Sequence, residues 1–139
     1  MGKILAIDFG LKRTGLAITD ESNIFAFGLD TINSKDLMNR VKELVKKESI
    51  STVIVGLPKR LNDEDTHITQ NVYLLKEAIE KEMPILKVEL VDERYTSKMA
   101  SEAMHTAGAT RKQKKQKELV DKVSATIILQ SYLEQLGGV

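Results

Sequence analysis

The sequence predicts an α/β layered sandwich on a mixed five-stranded sheet, three antiparallel strands followed by two parallel ones, flanked by helices. Three observations predict it. The chain opens with three short β-rich runs joined by brief turns, which is the pattern of an antiparallel meander. Helical apolar stripes then alternate with continuous apolar strands, the pattern of parallel strands covered on both faces. Finally, 139 residues with 42% hydrophobic content can bury one sizeable core but not two, so residues 1–139 are expected to form one domain.

The meander strands are Lys3 to Phe9, Thr14 to Asp20 and Asn23 to Leu29. Ser34 is expected to cap a helix whose apolar residues Leu37, Met38, Val41, Leu44 and Val45 fall on one face. "STVIVGLP", Ser51 to Pro58, is an apolar run ended by Gly and Pro, hence a strand buried on both sides. After a polar loop, His67 to Glu82 carries Ile68, Val72, Leu75 and Ile79 on one stripe, and Pro84 ends it. Leu86 to Val91 is the next strand. A helix from Thr96 or Ser97 to about Ala107 is closed by Gly108, and Leu119 to Leu136 is the last, stopped by Gly137 and Gly138.

Composition narrows the chemistry. There is no cysteine, which excludes disulfides and thiolate metal sites and fits a reducing cytoplasm. No apolar run approaches membrane-spanning length and no signal peptide is visible, so a soluble cytoplasmic protein without a membrane partner is expected. The net charge of +1 conceals one dense cluster, "RKQKKQK" from Arg111 to Lys117, with five cations in seven positions. It is read either as a surface for a phosphate backbone or as a solvated loop. Three Phe, three Tyr and no Trp leave little for base stacking. His67 and His105 have no metal-ligand spacing and read as helix-surface residues.

In an open parallel sheet, ligands collect beyond the carboxyl ends of the strands. Asp8 lies at that edge, a carboxylate closing the apolar run Ile4 to Ile7, followed by "GLKRTG" with Gly10 and Gly15. The strand ending at Val91 delivers Asp92, Glu93 and Arg94. Asp121 falls on the same helical stripe as Ala125, Ile128 and Tyr132. A hairpin needs glycines anyway, "DER" can be an ordinary solvated loop, and Asp121 can be favoured by a helix start or by Lys117. Taken together, acids on three elements of one sheet edge are the oxygen donors that Mg²⁺ or Mn²⁺ requires, and two such ions can promote phosphodiester cleavage. Arg13, Lys59, Arg60 and Arg94 stand in loops at the same edge, where they can hold phosphates, as can Arg111, Lys112, Lys114 and Lys115 of the basic run.

"AIDFGLKRTGLAITD", "VIVGLP", "VDERYTS" and "KELVDKVSATIILQSYL" together resemble the YqgF family of bacteria, described as Holliday junction resolvases and as pre-16S ribosomal RNA nucleases. The resemblance runs over nearly the whole chain. It implies a ribonuclease H-like fold and a metal-dependent nuclease of structured nucleic acid, either precursor rRNA or branched DNA, acting as a monomer or homodimer. It also implies that the catalytic and metal-binding acids are Asp8, Glu93 and Asp121. One departure from the wider ribonuclease H-like pattern stands out: the position after the fourth strand, which often bears an acid, here offers "GLPKR". Two other readings of the residues stay open. One is a nucleic-acid-binding or ribosome-assembly module that cuts nothing. The other is an actin-like nucleotide phosphotransferase, although that class normally closes two domains on its nucleotide.

Overall fold

The computed structural model describes residues 2–57, 68–92 and 113–136, with the backbone alone at 92 and 113–122. The elements run β1 (Lys3–Asp8), β2 (Arg13–Thr19), β3 (Ala26–Asn33), a 3₁₀ turn (Ser34–Asp36), α1 (Leu37–Glu48), β4 (Ile50–Leu57), α2 (Thr69–Glu82), β5 (Lys87–Asp92) and α3 (Gln113–Leu136). One five-stranded sheet has the order β3-β2-β1-β4-β5. β1 to β3 are antiparallel, while β4 runs parallel to β1 and β5 parallel to β4. The predicted α/β class and the split of three antiparallel and two parallel strands are both present.

Strand alternation separates two cores. Leu5, Ile7, Leu16, Ile18, Val53 and Val55 point to the face covered by α1 and α2, where Leu37, Val41, Leu44, Val72 and Ile79 meet them. Ile4, Ala6, Ala17, Ile54 and Val91 point to the other face, against Ala125, Ile128, Leu129 and Tyr132 of α3. The strands are therefore apolar on both sides, as a sheet between two helical layers requires.

Three boundaries differ from the sequence expectation, each for a local reason. The third strand starts at Ala26 and runs to Asn33, not from Asn23 to Leu29. Residues 20–25 are used in the turn: the Asp20 carboxylate accepts the backbone N–H groups of Ile24 (2.8 Å) and Phe25 (2.9 Å), and Asn23 takes a left-handed φ of 56°. The bond from Phe25 leads the interactions that hold the Asp20 carboxyl below its ordinary pKa. Ser34 does not cap α1, which has no side-chain cap bond; its hydroxyl is engaged elsewhere. The last helix begins at Gln113 rather than Leu119, so residues 113–117 of the basic run form its opening turn instead of a loop. The helix expected between Thr96 and Ala107 lies outside the described residues.

Tyr132 ties α3 to the sheet by donating its phenol hydrogen to Glu89 of β5. Burial first, and then the bond and charge of Glu89, push the phenol from 10.0 up to about 12. The folded chain thus keeps a proton that the unfolded chain sheds, so this contribution is complete below about pH 10 and is lost as pH rises towards 12. Tyr132→Phe is expected to lower stability near pH 7 by about 1 kcal/mol and to flatten the decline of Tm between pH 10 and 12. Melting both proteins across that window checks it, and parallel curves would remove Tyr132 from the account.

Candidate active-site edge

Asp8 is the last residue of β1 and is partly buried. Alternation with Ile4 and Ala6 assigns it to the α3 face. Across the antiparallel ladder its partner is Gly15 of β2. On the parallel side Ile7 pairs with Val55, which brings Asp8 level with Gly56 of β4, and Gly56 in turn pairs with Val91 of β5. The carboxylate therefore has a glycine on each neighbouring strand. Neither glycine adds a side chain of its own beside Asp8, both are buried, and Arg13, two residues before Gly15 on β2, shares its face.

The chain leaving Asp8 turns sharply through residues 9–12 into β2. A Cβ added at Gly10 would stand 2.4 Å from the Arg13 carbonyl oxygen, so the turn closes only with glycine there. Arg13 opens β2, is partly buried and pairs with Asn33 of β3. The same turn is fastened to the start of the 3₁₀ segment by Ser34 and Thr14.

α3 crosses this face with its chain direction opposed to β1. Its C-terminal residues Gln130, Leu133 and Glu134 border a cleft of about 480 Å³ with Asn23 and Ile24 of the β2–β3 turn, at the pole away from Asp8. Earlier residues of α3 consequently lead back towards the Asp8 edge. Position 121 is one turn before Ala125, on the row that continues through Ile128 to Tyr132, and these three are buried against the sheet. It also lies eight residues inside the helix. A helix-terminal charge effect fades within the first turn, so that explanation for an acid at 121 no longer holds.

Not every predicted site residue can be placed. Lys59, Arg60, Glu93, Arg94, Arg111 and Lys112 lie outside the described residues, and Lys114, Lys115 and Asp121 are located by backbone alone in α3. Among the described residues no group of three metal-ligating side chains occurs. The sheet order sets how far apart these elements stand. β4 lies between β1 and β5. Two strand spacings, about 10 Å, thus separate the β1 and β5 backbones. Gly56 occupies the intervening position and brings no side chain of its own between them. The sequence signal for it was "VGLP", read only as the end of a strand.

Comparisons with known proteins bear on the family and the fold. A family model described as "RuvX: Holliday junction resolvase" matches residues 2–135. A Bacteroides fragilis protein named "Putative pre-16S rRNA nuclease" is 45% identical over 134 residues, covering 96% of this chain and 97% of that protein. A Phocaeicola vulgatus protein of the same name is also 45% identical, over 96% of each chain. Among solved structures, Thermus thermophilus RuvC in complex with a Holliday junction substrate superposes with a TM-score of 0.58 at 13% identity, covering 99% of this chain and 97% of the other. A second T. thermophilus RuvC structure gives a TM-score of 0.55 at 12% identity, over 98% of this chain and 96% of that one. That likeness establishes the ribonuclease H-like fold. With a family model spanning nearly the whole chain and relatives at this identity, the chain belongs to the RuvX (YqgF) Holliday junction resolvase family.

Proposed function

We propose that this protein is a cytoplasmic, metal-dependent endonuclease of structured nucleic acid, acting in 16S ribosomal RNA maturation as its relatives' names describe. The observation that carries the reading is the register around Asp8: a carboxylate at a strand end, on the α3 face, with Gly15 and Gly56 on either side. A carboxylate partly buried at that strand end is favoured further when a cation is bound beside it. A carboxylate is a hard oxygen donor of the kind that Mg²⁺ or Mn²⁺ takes, and the glycines bring no side chain of their own beside it. Such ions, when bound, supply activation of the attacking water and neutralisation of the leaving oxygen.

Asp8 would hold the metal together with Glu93 and Asp121. Strand parity supports Glu93 over its neighbour. Glu89 meets α3 through Tyr132 and Val91 belongs to the α3 core, and an extended chain continued with the same two-residue period would turn Glu93 to the face of Asp8, which supports that choice. Asp121 is supported by its place on the buried row of α3. Arg13, Lys59, Arg60 and Arg94 would then grip phosphates flanking the cut. Arg111, Lys112, Lys114 and Lys115 would extend that grip along the backbone.

The family description favours a second substrate, branched DNA. Cutting a four-way junction symmetrically calls for a two-fold dimer, and a monomer suffices for a single cut in RNA. Incubating the protein with Mn²⁺ or Mg²⁺ against precursor 16S rRNA and a synthetic four-way junction in parallel separates the two. Binding without cleavage of either would leave a ribosome-assembly module.

Asp8→Asn is expected to fold normally, to lose the rise in Tm that Mg²⁺ gives the parent, and to cleave at least about 10²-fold more slowly. Undiminished cleavage would end the metal account. Glu93→Gln is expected to abolish cleavage with little change in Tm. Asp92→Asn should instead lower Tm and keep measurable activity, and the reverse pattern would transfer the ligand role to Asp92.

A further inference from the structure

Ser34 takes hold of the turn after Asp8 in an unusual way. Its hydroxyl donates to the Gly10 carbonyl, and its backbone N–H donates to the Lys12 carbonyl at 2.9 Å. Since that hydroxyl hydrogen is committed, the Thr14 hydroxyl, 2.8 Å away, donates to the Ser34 oxygen. Both carbonyls flanking Leu11 are thereby anchored to one residue, and the Gly10 turn is too tight for any side chain at that position. The residues displayed at the tip are nonetheless exposed: Leu11 is 58% accessible and Lys12 projects beside it.

A rigid backbone presenting an exposed apolar side chain and a cation gains little for the fold, whereas it lowers the ordering cost of a contact made with something else. The location narrows what that is. Leu11 follows Asp8 by three residues, so it stands within roughly 10 Å of the carboxylate along the chain. We propose that the turn Gly10–Arg13 is a clamped substrate-binding finger, in which Lys12 contacts a phosphate and Leu11 packs on a sugar or base face next to the cut, with Ser34 and Thr14 as positioning residues. This rests on the nuclease reading above. It assigns an apolar contact to a protein whose few aromatic residues cannot supply many.

Binding of a fluorescent four-way DNA junction and of a stem–loop RNA, measured in the Asp8→Asn background without metal, tests the finger apart from the chemistry. Leu11→Ala is expected to weaken binding about 5- to 10-fold with the salt dependence unchanged. Lys12→Ala should flatten the log–log salt slope by about 0.9 on duplex arms or about 0.7 on single strands. Both should melt within a degree or two of the parent. In the active protein, Ser34→Ala should raise KM while sparing kcat, and Ser34→Thr, which keeps the hydroxyl, should restore it. A weakened interaction with either probe supports the finger and identifies the strand it touches. Parental affinity and slope in both Leu11→Ala and Lys12→Ala overturn it. A parent that binds neither probe overturns the nuclease reading with it.

Discussion

Everything at the Asp8 edge depends on how β1 is held. It is hydrogen-bonded on both sides, antiparallel to β2 and parallel to β4, and buried beneath helices on both faces. Side chains alternate with a period of two, so a slip of one residue would move Asp8 to the face of α1 and α2 and drive Leu5 and Ile7 against α3. Two ladders and two cores oppose that slip together. The direction of one carboxylate is thus set by contacts spread over the whole sheet, which allows a charge to be kept where burial disfavours it.

The two helical layers are built differently. The face under α1 and α2 is filled with Leu, Ile and Val, while the face under α3 pairs Ala6 with Ala17 and meets Ser124 and Ala125. Small side chains let a helix lie close to a sheet. Towards the Asp8 edge the reduction goes further, to Gly15 and Gly56, so the interior along this face thins from alanine to glycine where the carboxylate stands. Tyr132 holding Glu89 fixes the lateral position of α3 from the other direction.

Much of this could be read from the sequence because strand and helix periods are local. Ile4 to Asp8 and Ser51 to Leu57 announce buried strands, and the stripes at Leu37, Val41 and Leu44 and at Val72 and Ile79 announce the helices that cover them. Spatial order is not local, and nothing in residues 86–92 says that β4 separates β5 from β1. Side chains with two possible uses also mislead. Ser34 has the chemistry of a helix cap, yet its hydroxyl finds a better acceptor in Gly10 across the sheet. Asn23 to Phe25 look like strand, yet Asp20 recruits them into a turn. The lysines from 114 to 117 look like loop, yet they continue a helix that tertiary packing sustains farther along.

The sheet order also dictates when the Asp8 edge can be assembled. β1, β2 and β3 are consecutive and pair with their immediate neighbours, which makes the meander the cheapest part of the fold to close. β4 must return from beyond α1 to reach the open side of β1, where Ile50 meets Lys3. α3, the only described helix on the Asp8 face, comes from the far end of the chain. On a ribosome, where synthesis runs from the N-terminal side, β1 with Asp8 emerges well before the helix that covers its face. The nascent chain carries its carboxylate on a sheet that α3 has not yet covered, so this edge belongs to the whole span from β1 to α3 and not to the meander alone.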